Sequence, residues 1–303
     1  MNRSAPLPSL RQLRYLVALA QQLNFRAAAD ACFVTQSTLS AGIKELEATL
    51  GAQLVERDKR SVRLTDLGRQ VVERARRLVA EASDLVDTVQ AAREPLTGRL
   101  RLGAIPTIAP FLLPRALPPL RSRYPNLRLL LREDLTERLL EQLRAGELDA
   151  ALIALPYDTG ELKVRKLFRD DFRMVVRKDH ALAALKSVPV ERIDGEQVIL
   201  LEEGHCLREH AIEACAKVRK HAPEIEATSL PTLIQMVAGG LGVTLLPETA
   251  LQSAILQGTG LVARPFTTRV PARTIALASR PSSARARDLE LLADFLRRGP
   301  DAR

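Results

Sequence analysis

Between Asp66 and Glu94 the chain contains a single glycine, Gly68, and no proline, and Pro95 closes the run. Within it Val71, Ala75, Leu78, Ala82, Leu85 and Val89 follow in alternating steps of four and three. That spacing lines one face of a helix for about three heptads. A helix this long, flanked by Arg and Asp, separates two modules. Its apolar seam is most easily covered by the same helix of a second copy, and docking on its own module is the alternative. The expected organisation is a module at residues 1–66, a linker and dimerisation helix at 67–95, and a larger domain at 97–303.

At 303 residues the chain has room for more than one core. Three cysteines make no disulfide framework, and no stretch approaches the ~20 apolar residues of a membrane span. Residues 1–9 are too short and too polar for a signal peptide. A cytoplasmic protein without a membrane partner or cofactor is expected. Charge is unevenly placed: residues 1–77 hold 13 Lys and Arg against 7 Asp and Glu, or +6 of the chain's +9. A compact basic module suits a polyanion, because neutralising phosphates releases counterions. With no Trp and 3% aromatic residues, stacking is a poor candidate for recognition.

In that module Leu10, Leu13, Leu16, Val17 and Ala20 mark a first amphipathic helix. Asn24 can cap a short second helix through Arg26 to Cys32, and Thr35 a third carrying Leu39, Ile43, Leu46 and Leu50. Two short helices joined by a tight turn have the form of a helix-turn-helix. Gln36, Ser37, Ser40 and Lys44 lie away from the apolar stripe, where small hydroxyls, an amide and one cation could meet base edges and phosphates. Spacing alone does not separate such a face from an ordinary solvated one. Gly51 ends the third helix, and Leu54-Val55-Glu56-Arg57 and Val62-Arg63-Leu64-Thr65 flank Asp58-Lys59-Arg60-Ser61 as a basic-tipped hairpin, a wing. Cys32 is expected in the core of the module.

The module resembles the LysR-type family of bacterial transcriptional regulators in Phe25-Arg26-Ala27-Ala28-Ala29, Thr38-Leu39-Ser40, Ile43-Lys44-Glu45-Leu46-Glu47, Leu50-Gly51, Leu54-Val55-Glu56-Arg57 and Leu64-Thr65-Asp66-Leu67-Gly68. The resemblance implies a winged helix-turn-helix that binds promoter DNA through Thr35, Gln36, Ser37, Thr38, Ser40, Lys44, Arg57 and Arg60. It also implies RNA polymerase as a partner, and self-association as a dimer through the linker helix and as a homotetramer. Ser37 departs from the family, which very often has Pro at the first helical position. Proline serves geometry there, so a small effect on stability is expected.

Beyond the linker, residues 100–104, 128–132 and 149–153 read as strands, and 111–123 and 137–144 as helices. A second set runs from Phe172 through Val198-Ile199-Leu200-Leu201 to Val243-Thr244-Leu245-Leu246. Ile275-Ala276-Leu277 leads back to a final helix at 287–298. The fold class is α/β. The pattern resembles the two-lobed, periplasmic-binding-protein-like effector domain of the same family, with lobe I at about 97–170 and 276–303 and lobe II at about 171–275. Gly239-Gly240-Leu241-Gly242 lacks the order of a phosphate loop and reads as a turn.

Cys206 and Cys215 stand nine residues apart, with no Gly or Pro after Cys206 until Pro223. On one helix nine residues rise ~13 Å and turn the two sulfurs to opposite faces. A disulfide needs Cα atoms within about 7 Å, so joining this pair requires refolding. Two small buried hydrophobes are the plainer reading. The segment from Leu201 to Cys215, with Ile105-Pro106-Thr107, Thr136, Leu139-Leu140, Ala227-Thr228-Ser229-Leu230, Gly242-Val243-Thr244-Leu245-Leu246-Pro247 and Arg273-Thr274-Ile275, resembles the peroxide-sensing branch of the family. By that resemblance Cys206 is the peroxidatic thiol and Cys215 the resolving one. Thr107, Thr136, His205 and Arg273 then line the peroxide site, hydrogen peroxide is the signal, and a glutaredoxin-type reductant resets the switch. A helix N-terminus, His205 and Arg273 are expected to lower the Cys206 pKa, against Glu202, Glu203 and Glu209.

Three rival readings remain. One is a regulator binding metal through His205, Cys206, His210, Cys215 and His221. Another is a thiol enzyme, which the absence of a Cys-x-x-Cys motif disfavours. The third is a regulator of the same family that binds an organic effector.

Overall fold

The computed structural model describes residues 7–57, 62–91, 94–214, 225–268 and 272–298. The wing tip at 58–61, with Arg60, and the segment holding Cys215 and His221 lie outside the described residues. The chain forms two compact units, one built on the chain up to Val89 and the other from Gln90 onward.

The first unit opens with α1 (Leu10–Gln22), α2 (Phe25–Cys32) and α3 (Gln36–Leu50). Each has a side-chain cap that satisfies first-turn N–H groups. Ser9 forms a capping box with Gln12, the Asn24 side chain accepts from the N–H groups of Arg26 and Ala27, and Thr35 accepts from Thr38. Leu16, Leu19, Leu39, Ile43 and Leu46 close a fully buried core. Gly42 is where α3 meets α1: a Cβ there would lie 2.6 Å from Tyr15 Cδ2. The wing strands β1 (Val55–Arg57) and β2 (Val62–Leu64) pair antiparallel. Glu47 Oε1 fixes the wing to α3 by accepting from the N–H groups of Leu54 (2.9 Å) and Val55 (3.0 Å).

The linker helix is α4 (Asp66–Ala91). Its first half uses a wider face than the seam alone, because Val72 and Ala75 are buried in the core of its own module with Val71 and Val79 packed beside them. Further along, Leu78 and Leu85 are 48% and 70% exposed. Among the described residues no helix is long and apolar enough to cross a membrane.

The second unit contains β3 (Gly98–Ala104), α5 (Ala109–Arg123), β4 (Leu127–Glu133), α6 (Thr136–Arg144), β5 (Ala150–Leu155), β6 (Lys163–Asp170), β7 (Phe172–Arg177), β8 (Leu200–Leu201), α7 (Cys206–Ala214), β9 (Glu226–Ala227), α8 (Leu230–Ala238), β10 (Thr244–Pro247), α9 (Glu248–Leu251), β11 (Leu261–Arg264), β12 (Arg273–Ser279) and α10 (Ala286–Arg298). Lobe I is a five-stranded sheet in the order β4-β3-β5-β12-β6. Its first three strands are parallel, and β12 runs antiparallel to both its neighbours. Lobe II holds the antiparallel sheet β10-β7-β11 and the parallel pair β8-β9. The crossing back begins at Arg273, three residues ahead of the expected boundary. The expected strand at Val198–Leu201 is broken: Val198 bridges to Val243, while Leu200 and Leu201 pair with Glu226 and Ala227. The glycine run after α8 is a turn leading to β10.

Candidate functional site

The turn after β8 places Cys206. The Glu202 N–H donates to Ala227 O at 3.0 Å, continuing the β8-β9 pairing. Gly204 then takes φ +93°, with an added Cβ 3.2 Å from Leu135 Cδ1, and α7 begins at Cys206. Only glycine adopts this backbone without strain. Arg208 reaches back from α7 and donates to Leu201 O at 3.0 Å, which fixes the helix start.

The Cys206 side chain is buried in the core of lobe I, whereas Leu207 and Ala211 of the same helix belong to the core of lobe II. Facing the sulfur are Thr107, in the turn after β3, and Thr136, the first residue of α6; both are buried. Ile105, Pro106, Thr107, Leu135, Thr136, Gly204, His205 and Cys206 line one crevice. It has about 170 Å³ of space between atoms and no void wide enough for a water molecule. Arg273, the first residue of β12, is fully buried behind Thr107. It donates through Nη1 to Thr107 Oγ1 (2.8 Å) and through Nη2 to Thr107 O (3.0 Å). Its Nε donates to Asp170 Oδ2 at 2.8 Å, and the other Asp170 oxygen accepts from the Thr249 N–H at 2.9 Å. The fold therefore gathers Thr107, Thr136, His205 and Cys206 around one crevice with Arg273 behind it.

Asp170 is the partner of Arg273 that sequence reasoning missed. A guanidinium within an otherwise apolar strand calls for a carboxylate, but the acid lies 103 residues away and the sequence holds no sign of which one it is.

The expected lowering of the thiol pKa by Arg273 and the helix start is opposed by burial. Burial pushes the Cys206 thiol up. The Arg273 charge, the Thr136 hydroxyl and the N–H groups of Cys206 and Leu207 act in the opposite sense without reversing it. His205 is held below its ordinary value, first by burial, against Glu202 and a hydrogen bond to the backbone of Thr228. It is therefore a neutral imidazole near pH 7 and adds no positive charge. Thr136 Oγ1 is near enough to favour the thiolate, yet it is buried without a hydrogen bond of normal geometry.

Cys32 is partly buried beside the first unit's core, and burial raises its thiol. Among the described cysteines, Cys32 and Cys206 are free thiols. Among the described residues there is no group of three or more His, Cys, Asp or Glu able to hold a metal.

On α3 the side chains of Gln36, Ser37, Thr38 and Lys44 are exposed, Thr35 is exposed at the cap, and Ser40 is half-buried. Ser37 is the second helical residue, not the first, because α3 starts at Gln36. The Thr35 hydroxyl lies 2.9 Å from Ser37 Oγ and 2.8 Å from Thr38 Oγ1, so the cap engages two of the expected DNA-reading hydroxyls. Ser37, Ser40 and Lys44 form one stripe at steps of three and four. Arg57 ends β1.

Two family models match the chain: the bacterial regulatory helix-turn-helix protein, lysR family, over residues 10–69, and the LysR substrate binding domain over 93–301. This chain belongs to the LysR family of transcriptional regulators. It is a DNA-binding regulator, not an enzyme. The HTH-type transcriptional regulator EstR of Acinetobacter baylyi is 45% identical over 97% of this chain and 98% of the relative. A full-length OxyR from Pseudomonas aeruginosa, solved as a Cys-to-Asp variant, is 39% identical, with TM-score 0.82 over 98% of this chain and 100% of that one. Corynebacterium glutamicum OxyR, solved as a Cys-to-Ser variant with hydrogen peroxide bound, is 33% identical, with TM-score 0.66 over 97% and 93%. Within the LysR family the chain falls in the OxyR branch.

Proposed function

We propose that this LysR-family protein is a redox-switched regulator in which hydrogen peroxide oxidises Cys206 and the product is trapped as a disulfide with Cys215. The observation that carries this reading is the gathering of Thr107, Thr136 and His205 around the Cys206 crevice with the buried Arg273 guanidinium bonded to Thr107. Hydroxyls both donate and accept, which suits a small neutral oxidant whose leaving hydroxide needs a proton. In the first step the Cys206 thiolate attacks one peroxide oxygen, the O–O bond breaks, and the departing hydroxide takes a proton. This leaves Cys206 as a sulfenic acid. The Cys215 thiolate then attacks that sulfur, forming S–S and releasing the sulfenic oxygen as water after protonation. A dithiol reductant of the glutaredoxin type would return both thiols.

Each neighbour has a part in this scheme. Arg273 supplies the buried positive charge that favours the thiolate, and it orients Thr107 by hydrogen bonds to its hydroxyl and carbonyl. Neutral His205 and the two threonine hydroxyls can give or take a proton. On the DNA side, Thr35, Gln36, Ser37, Thr38, Ser40 and Lys44 on α3, with Arg57 and Arg60 of the wing, would contact promoter DNA. Leu78 and Leu85 of α4 would be covered in a dimer and the dimers would pair as a homotetramer, acting on RNA polymerase in the cytoplasm.

The match to the LysR substrate binding domain over residues 93–301 supports a second reading, in which an organic effector drives a regulator of this family. Peptide mass spectrometry on metal-free reduced protein, quenched seconds after a few equivalents of peroxide, separates the two. A Cys206–Cys215 linked peptide with Cys32 still free supports the thiol switch. Thiols that stay reduced remove it and leave the effector reading.

A further inference from the structure

Phe33 is the most exposed large apolar side chain among the described residues, at 93%. It closes α2 in the left-handed conformation, with φ +57°. The turn dictates that conformation: the Phe33 N–H donates to Asp30 O and the Val34 N–H to Ala29 O, each at 3.1 Å, while the Val34 side chain packs against the module core. Glycine or asparagine is the usual residue at such a cap. A bulky side chain there is strained, and a ring left in water gains no packing in exchange. Leu23 caps α1 with φ +45°, yet it is only 51% exposed. Phe33 therefore breaks two local rules at one position, and such breaks concentrate at functional sites.

What covers the ring follows from where the turn lies. Phe33 stands two residues ahead of Thr35, the cap of α3, so its Cα is within about 7 Å of the residue that opens the proposed DNA-reading face. Thr35, Gln36, Ser37 and Thr38 are all exposed beside it. Residues 31–38 contain no charged side chain, so this end of the helix offers a groove hydroxyls, an amide and one apolar ring. In the major groove the apolar feature of a base pair is the C5-methyl group of thymine. We infer that Phe33 is a base-reading residue of this regulator, its ring packing on a thymine methyl next to the bases met by the start of α3. The inference rests on the α3 reading of the DNA interface and adds to it the apolar contact that a row of hydroxyls lacks. It is independent of the thiol switch.

The test uses full-length reduced protein and a promoter duplex chosen as a genomic fragment that it protects from nuclease. Phe33→Gly should bind this duplex about fivefold more weakly, the effect of losing the burial of roughly half a phenyl ring. Its thermal midpoint should hold or rise, because glycine takes the left-handed cap without strain. The slope of log affinity against log salt should not change, because no phosphate contact is removed. Uracil in place of thymine removes the methyl groups, and it should weaken wild-type binding more than Phe33→Gly binding. A lowered midpoint shows that the ring packs on its own module and overturns the inference. Equal sensitivity of the two proteins to uracil also overturns it, as does unchanged affinity, even where transcription falls and assigns the ring to a protein partner. Lys44→Ala measured alongside separates the two readings. Weaker binding in Lys44→Ala with none in Phe33→Gly removes the ring contact and leaves α3 in place, whereas no effect from either removes the α3 interface as well.

Discussion

Arg273 and Asp170 meet at 2.8 Å with side chains 0% and 1% exposed, joining the first residue of β12 to the last residue of β6. Both charges are removed from water, and the pair is acceptable only because each group is hydrogen-bonded further, Arg273 to Thr107 and Asp170 to the Thr249 N–H.

Removing one partner strands the other. Asp170→Leu is expected to lower unfolding free energy by about 3–5 kcal/mol, measured by urea titration. Asp170→Leu combined with Arg273→Met should recover much of that loss. A double variant less stable than either single one would contradict this account of the pair.

Thr136→Val keeps the shape of the side chain and removes the buried hydroxyl. Stability should hold or rise slightly, because no hydrogen bond of normal geometry is lost. Oxidation of Cys206 by peroxide should slow by about tenfold if the hydroxyl supplies one hydrogen bond in the reaction. Stopped-flow kinetics with Thr107 intact would check this, and an unchanged rate assigns the hydroxyl no role.

The two titrating groups of the crevice bracket a pH window. His205 is depressed from its ordinary 6.5, so the unfolded chain takes up that proton first, and the stability it confers is lost as pH falls below that value. Cys206 is raised from its ordinary 9.0, so the stability of the buried neutral thiol is full below that value and is lost as pH rises above it. Denaturant unfolding under reducing conditions should show a plateau between these limits, with the alkaline decline smaller in Cys206→Ser. Because the thiolate is the nucleophile, the rate with peroxide should climb about tenfold per pH unit across neutrality.

In the first unit, Gly42→Ala would place a methyl 2.6 Å from Tyr15 Cδ2. Overpacking of this kind costs about 1–3 kcal/mol. The measure is thermal unfolding of the full chain, and Tyr15→Leu should relieve the clash.

Lys44→Ala removes one exposed cation from the α3 stripe. The slope of log affinity for promoter DNA against log salt should become shallower by about one, with unfolding unchanged. An unaltered slope would remove Lys44 from the phosphate contacts.

Several elements were legible because they follow local rules: alternating apolar residues for β3, and Asn24 and Thr35 as caps ahead of α2 and α3. The grouping of Thr107, Thr136, His205 and Arg273 came from resemblance, since nothing local brings together residues spread over more than half the chain. Two things stayed hidden for physical reasons. The pKa of Cys206 depends on burial by lobe I, which a helix N-terminus read from sequence does not report. The α4 seam looked uniform in its spacing, yet Val72, outside that spacing, is buried with Ala75 in the module core while Leu78 and Leu85 are exposed.

Cys206 and Leu207 are adjacent in the chain but serve different cores, one per lobe. Whatever is attached to that sulfur therefore acts as a wedge: even one added oxygen must be accommodated by a lobe that α7 does not belong to. On the proposed switch the first response to oxidation is steric, a parting of α7 from lobe I that precedes any second sulfur. An alkyl group of similar bulk on Cys206 should imitate it.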